Sequence, residues 1–276
     1  MVQSILYATD FSETAENAFS HALTLAVLFG ARLTLLHVRV PLEDDPNNPK
    51  FHFPELPDVY SRAETIAEEV LREKAPRVEG IDVQEMVRRG IDADSEILRV
   101  ASEIGADLIV MGTHGRRGLD QWMLGSVTDA VVKRAEIPVF TVRKDVVAPD
   151  PEYPYRRILV PVDLSSGSSK ALKAAVELSA NPESRITVLH VEDGKEDSTR
   201  FSLDSLTSSS IDSSRVQTRL EQGVAETMIL KVAREESSDL IVMAKRGHSL
   251  FEFILMGSTT ERMIRVAPCP VMVLPV

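Results

Sequence analysis

Short apolar runs alternate along this chain with longer stretches in which apolar residues return every three or four positions. Residues 4–9 read as a strand that delivers Asp10 at its C-terminal end. Ser12 stands where a helix N-cap belongs, and Ala15, Ala18, Phe19, Ala22, Leu25, Ala26 and Phe29 follow at helical spacing until Gly30 stops them. Residues 32–40 predict a second strand around Leu35-Leu36-His37-Val38, and residues 58–75 a helix through Ala63, Ile66, Ala67, Val70 and Leu71. Residues 82–88 alternate as a strand, and 95–104 return to helical spacing through Ile97, Leu98 and Ala101. Residues 107–111 form an apolar run that ends on Gly112; a helix over 127–134 and a last strand over 139–142 complete the series. Strands alternating with helices predict a parallel sheet covered on both faces. Residues 41–57, rich in proline, Asp and Asn, read as an irregular excursion, and 144–155, with three prolines, as a linker.

After the linker the order repeats. Asp163-Leu164-Ser165 ends the strand over 157–163 as Asp10-Phe11-Ser12 ends the first. Twenty-seven positions separate Asp10 from His37 and Asp163 from His190, and both histidines sit in Leu-His-Val. Residues 239–243 repeat the run at 107–111. Repeats of this length mean two copies of one domain, because solenoid repeats are much shorter. The expected boundaries are 1–146 and 156–276, joined by 147–155. The second copy is shorter by 20 residues between its histidine and Gly223, and what remains over 192–214 is rich in Ser and Asp. That segment is expected to be the least ordered part of the second half. The two last strands, 139–142 and 271–274, are apolar enough to be hazards as open edges, so they are expected to meet between the halves.

The chemistry concentrates where the middle strands end. Gly112-Thr113-His114-Gly115 is followed, nine residues on, by Gly125-Ser126 and a helix; Ala244-Lys245-Arg246-Gly247 is followed in the same way by Gly257-Ser258. Strand, glycine loop and helix N-terminus together bind anions, because free N–H groups point outward and glycine lets a phosphate approach the backbone. Each loop also carries basic residues: His114, Arg116 and Arg117 in the first, and Lys245, Arg246 and His248 in the second. In open parallel sheets ligands bind beyond the C-terminal strand ends, and Asp10, Val38 and the glycine loop all lie there. A carboxylate at Asp10 can accept from ribose hydroxyls or a base amine, the backbone at Val38 can pair with an adenine edge, and the amides of Gly125 to Val127 can hold phosphates. Asp10 also has a plainer reading, as a cap on the turn before the first helix. His37 and His190, inside apolar strands, read as structural, and Cys269, between two prolines, as packing.

Composition narrows the partners. The formal net charge of −11 argues against nucleic acid and anionic membrane, which makes two basic loops more informative. One cysteine excludes an intramolecular disulfide and fits a reducing compartment. With no leader pattern at Met1-Val2-Gln3-Ser4-Ile5, the expectation is a cytoplasmic protein. Catalysis has little support: there is no GxxxxGK[ST] loop, no nucleophile elbow and no metal-ligand spacing, so slow ATP hydrolysis is the most an enzyme reading allows.

The Gly-x-x-Gly, nine residues, Gly-Ser spacing at Gly112, Gly115, Gly125 and Ser126, with Asp10 and the Ile137-Pro138-Val139 ending, resembles the tandem form of the universal stress protein family. Pro268-Cys269-Pro270-Val271 resembles the family's last strand too. The resemblance implies two tandem open parallel five-stranded α/β sheets with helices on both faces, of the adenine nucleotide α-hydrolase-like kind. It implies ATP, with or without Mg²⁺, and a role in stress survival. It also implies an intramolecular pseudo-dimer whose last strands pair across a two-fold axis, with a further homodimer left open. The nucleotide contacts it implies are Asp10, Val38, Met111, Gly112, His114, Gly115, Arg116, Gly125, Ser126 and Val127. In the second copy they are Asp163, Val191, Ala244, Arg246, Gly247, Gly257, Ser258 and Thr259. Asp120 and Glu252 occupy matching places, either beside Mg²⁺ or as solvated acids. The rival to a nucleotide-dependent regulator is a nucleotide-independent interaction module. Ala244 stands where the first copy has Gly112. With a positive φ there, alanine costs about 1–2 kcal/mol, and with the ligand against the backbone its methyl takes the ligand's space. On either ground the first half is expected to be the better site; with a negative φ and the methyl turned away, alanine is harmless.

Overall fold

The computed structural model describes residues 2–40, 56–75, 80–114, 124–146, 148, 150, 153–163, 165–179, 182–192, 215–245 and 256–275. Ten strands and seven helices lie among them. The first half runs β1 (Ser4–Thr9), α1 (Glu13–Phe29), β2 (Arg32–Arg39), α2 (Leu56–Lys74), β3 (Val83–Arg89), α3 (Ala93–Glu103), β4 (Leu108–Gly112), α4 (Ser126–Arg134) and β5 (Val139–Val142). The second runs β6 (Arg157–Val162), α5 (Ser166–Leu178), β7 (Arg185–Glu192), β8 (Val216–Gln222), α6 (Ala225–Glu235), β9 (Leu240–Ala244), α7 (Ser258–Val266) and β10 (Val271–Leu274).

Local chemistry accounts for the ends of these elements. Ser12 Oγ accepts from Ala15 N and caps α1, while Gly30, at φ 61°, ends it in the left-handed conformation that glycine adopts without a Cβ penalty. Asp92 caps α3 by accepting from Ser95 N, so the helix begins at Ala93, two residues before the apolar spacing starts. Helix α2 likewise begins ahead of its apolar pattern, at Leu56. Of the segments predicted as a proline-rich excursion (41–57) and as a serine-rich, poorly ordered stretch (192–214), residues 41–55 and 193–214 lie outside the described residues, as does part of the linker, while Leu56 and Pro57 open α2 and Glu192 ends β7.

The strands form one sheet in the order β3-β2-β1-β4-β5-β10-β9-β6-β7-β8. Every pairing is parallel except β5 with β10, which run antiparallel with Phe140 opposite Met272. The two five-stranded units are therefore joined at their last strands, as the apolar character of those strands predicted, and neither is left as an open edge. Thr141 Oγ1 donates to Val271 O at 3.0 Å across that seam.

Alternate residues of each central strand enter different cores. Ile5 and Tyr7 belong to the core that also holds residues of α1, α2 and α5; Leu6 and Ala8 belong to the one that holds residues of α3, α4, α6 and α7. This follows from the period-two geometry of a strand buried on both sides. The linker is anchored as well. Tyr155 is buried beside Phe140, its hydroxyl lies 3.1 Å from His21 Nδ1, and its carbonyl accepts from Ser184 Oγ. No helix among the described residues is long and apolar enough to cross a membrane.

Candidate functional site

In the order β3-β2-β1-β4-β5 the strand order reverses between the parallel strands β1 and β4, so α1 leaves to one face of the sheet and α4 to the other. A crevice opens beyond the C-terminal strand ends at such a reversal. The structure brings Asp10, Val38, Met111, Gly112, His114, Gly125, Ser126 and Val127 to it. The second half repeats the reversal between β6 and β9 and gathers Asp163, Val191, Ala244, Gly257, Ser258 and Thr259. Gly115, Arg116, Arg117, Asp120, Arg246, Gly247, His248 and Glu252 lie outside the described residues.

Backbone bonds close each glycine loop onto its strand. Gly125 N donates to Thr113 O at 2.9 Å, and Gly257 N to Lys245 O at 3.0 Å. Thr128 Oγ1 donates to Gly112 O at 2.8 Å, and Thr260 Oγ1 to Ala244 O at 3.1 Å. These contacts set the first turns of α4 and α7 directly above the ends of β4 and β9. Both helices start on a glycine N-cap, and neither receives a side-chain cap, whereas α1 and α3 do. Helices α5 and α6 also start without a side-chain cap, so this feature alone does not single out the glycine loops. What distinguishes α4 and α7 is their position over the crevice. Unsatisfied first-turn N–H groups there, with the positive end of the helix dipole, suit an anion.

The other wall is built from β1 and β2. Thr9 O accepts from His37 Nδ1 at 2.8 Å, and Val162 O accepts from His190 Nδ1 at 2.9 Å. Both histidines thus tie two strand ends together, the structural role their apolar surroundings implied. Phe11, at φ 62°, turns the chain into α1 and stacks on the His37 ring at 4.4 Å between centroids. Pairing of β2 with β1 stops at His37 but continues with β3 through Arg39, which leaves Val38 beyond the end of β1. Val191 stands in the same way beyond β6. Burial pushes the Tyr7 hydroxyl up, and it donates to Ala15 O at 2.7 Å to hold α1 on the strand.

The two crevices differ in three ways that spacing alone does not reveal. Asp163 Oδ1 accepts from Ser165 N, Ser165 Oγ and Ser168 Oγ, and among the contacts of Asp10 its Oδ1 accepts from Ser12 N. The residue equivalent to Ser168 is Ala15, which has no hydroxyl to offer. Second, Pro161 lies in β6 where β1 has Ala8. Pairing of β6 with β9 ends at Leu159, while β1 and β4 stay paired through Ala8 and Met111. Proline brings no N–H to the ladder, and the strands part early.

The third difference removes one of the two grounds for the expectation placed on Ala244, the positive φ. Gly112 does not have a positive φ. A Cβ there would instead meet Thr14 of α1, 2.9 Å from its Cγ2 and 3.1 Å from its backbone carbonyl carbon and oxygen. Packing against α1 therefore asks for glycine at 112. The residue equivalent to Thr14 is Gly167, buried in the first turn of α5. The pair Gly112 with Thr14 has become Ala244 with Gly167, the small residue having changed sides. Lys245 is a correction of the same kind. Read as part of a basic cluster beside the phosphates, it sends its ammonium the other way, 3.1 Å from Lys133 O and 3.0 Å from Ala135 O at the end of α4.

Other concavities lie away from these strand ends. One is lined by Glu226, Thr227, Leu230, Arg234 and Arg262, another by residues of α2 and β3 including Glu68 and Met86. Among the described residues no group of three His, Cys, Asp or Glu is arranged to hold a metal.

Comparison with known proteins agrees with this architecture. The model of the universal stress protein family matches residues 1–143 and again 154–275. A universal stress protein of Methanocaldococcus jannaschii is 31% identical over 160 residues, an alignment covering 52% of this chain and 96% of that protein. One from Thermus aquaticus is 31% identical over 153 residues, covering 52% of this chain and all of its own length. Each of these relatives corresponds to about half of the chain, as a tandem arrangement requires. The crystal structure of a universal stress protein from Archaeoglobus fulgidus covers 99% of this chain and 98% of its own, with a TM-score of 0.75 at 23% identity, and shares the fold.

Proposed function

The chain belongs to the universal stress protein family, and from that premise we propose that it binds ATP at the strand ends of both halves, more tightly in the first, and acts as a nucleotide-dependent stress-response regulator. The observation that carries this reading is the twofold recurrence of one device: a strand end, a glycine loop folded back on it, and a helix N-terminus without a side-chain cap over the crevice. Such a terminus takes phosphates. Asp10 and the backbone at Val38 take the ribose and the adenine edge. Mg²⁺ enters only as the ordinary companion of the phosphates. We take 1–146 and 156–276 as the two binding units.

The ranking of the halves rests on Asp163. Three donors of its own helix start already hold Asp163 Oδ1, so a ribose competes with them for that oxygen or is confined to Oδ2. Pro161 adds to this by parting the strands beneath the second crevice. Titration of ATP by calorimetry tests both claims. Gly125→Val is expected to abolish the tighter phase and Gly257→Val only the weaker one. Ser168→Ala, which frees one bond to Asp163, is expected to tighten the weaker phase. An unmodified protein that neither carries adenine nucleotide when purified nor binds added ATP overturns the reading in favour of a nucleotide-independent module.

A further inference from the structure

Helices α4 and α7 end as well as begin at informative places. Their last carbonyls carry the negative end of the helix dipole and lack partners within the helix. Lys245 donates from Nζ to Lys133 O and Ala135 O at the C-terminus of α4. Arg143 donates from Nη1 to Ala267 O, at 3.1 Å, at the C-terminus of α7. Each cation belongs to one half and each helix to the other. The two contacts are not symmetry copies. Thr113 occupies the place of Lys245 in the first half, and Pro275 the place of Arg143 in the second. Two different positions have arrived at the same crossed contact.

The backbones of the same two residues reach the opposite crevices. Lys245 O accepts from Gly257 N and closes the second glycine loop, and Lys245 N donates to Leu274 O at the end of β10. Arg143 follows Val142, whose carbonyl accepts from Thr113 N in the first glycine loop at 2.9 Å. Arg143 also pairs with Asp145 Oδ2 at 2.8 Å, which orients its guanidinium. A short path of hydrogen bonds therefore runs from the glycine loop of either half to the C-terminus of the helix whose N-terminus serves the other.

We propose that Lys245 and Arg143 are crossed positioning residues, each holding the phosphate-side helix of the opposite half, so that the two crevices are coupled across the β5–β10 seam. This rests on the reading of those crevices as ATP sites. When the cation is lost, the helix end loses its charge partner and its N–H groups lose their fixed aim at the crevice. A purely local role for either side chain predicts damage in its own half; a crossed role predicts damage in the other.

The test uses the full chain with one crevice disabled at a time. In a Gly257→Val background, Lys245→Met is expected to weaken ATP binding in the first half by roughly twofold to fivefold, the range of a cation at a helix C-terminus. In a Gly125→Val background, Arg143→Met is expected to weaken the second half by a similar factor. Each single substitution without the background is expected to leave the crevice of its own half within twofold of the unmodified protein. Amide hydrogen exchange gives a readout that needs no nucleotide. Protection at the last turn of α4 is expected to fall in Lys245→Met while α7 is unchanged, and the reverse in Arg143→Met. Loss in the same half as the substitution, or no change in exchange at the opposite helix, overturns the proposal. Absence of ATP binding in the unmodified chain defeats the ATP reading and leaves the exchange experiment to decide the crossed contact.

Discussion

Gly112 illustrates how a single residue can carry a constraint that its motif does not display. Its spacing from Gly115 and Gly125 marks it as part of a nucleotide loop, yet the atoms that crowd it belong to Thr14, a residue 98 positions earlier. Gly112→Ala is therefore expected to destabilise the first half by about 1–3 kcal/mol, the usual range for an overfilled contact. Combining it with Thr14→Gly reproduces the pair Ala244 with Gly167, and the double variant is expected to recover part of the loss. Chemical denaturation of the two single variants and the double variant checks this, since additive losses would mean that Thr14 is not the partner. Ala244→Gly, in contrast, is expected to leave ATP affinity in the second half unchanged.

Between elements the two halves differ most in how their helices are started. Helix α3 is capped by Asp92, whose carboxyl is held below its usual range by the Ser95 hydroxyl and amide that donate to it. Its counterpart α6 begins at Val224, which offers no acceptor and stands 66% exposed. An apolar N-cap is among the poorest choices; the amide that a capping side chain would take, Thr227 N, here turns back to Val224 O at 3.0 Å. Val224→Asp is expected to raise stability by about 0.5–2 kcal/mol, visible as a higher melting temperature, with no change at the seam or the crevices. Asp92→Ala is expected to lower the melting temperature. An unchanged melting temperature in Val224→Asp would mean that the backbone there cannot adopt capping geometry.

Taken as one molecule, the chain is a pseudo-dimer in which the seam does for the two halves what a subunit interface does for two chains. Strands β5 and β10 are short, fully buried and apolar, and each would become an open edge if its partner were removed. Residues 1–146 expressed alone are expected to self-associate, by pairing two copies of β5 or by aggregation, with no stable monomer in light scattering. A well-behaved monomer would show that the seam contributes little. Tyr155 adds a second tie, since it docks in the first half beside His21 and Phe140 and accepts from Ser184 of the second.

The sequence by itself determined what depends on near neighbours. Periods of two and of three to four residues placed the strands and helices, Ser12 and Gly30 placed the ends of α1, and the recurrence of Asp, Leu-His-Val and the glycine loop revealed the duplication. Two short apolar last strands were enough to predict their meeting, because an exposed apolar edge has no stable alternative to pairing. Only the tertiary structure decided which donors, acceptors and packing partners each of these side chains meets. It turned Lys245 away from the phosphates and onto α4, assigned Gly112 to Thr14, and drew Asp163 into three bonds of its own. A side chain's type is written in the chain, but its direction is set by which donors and acceptors the fold brings within about 3 Å, and no local pattern carries that information.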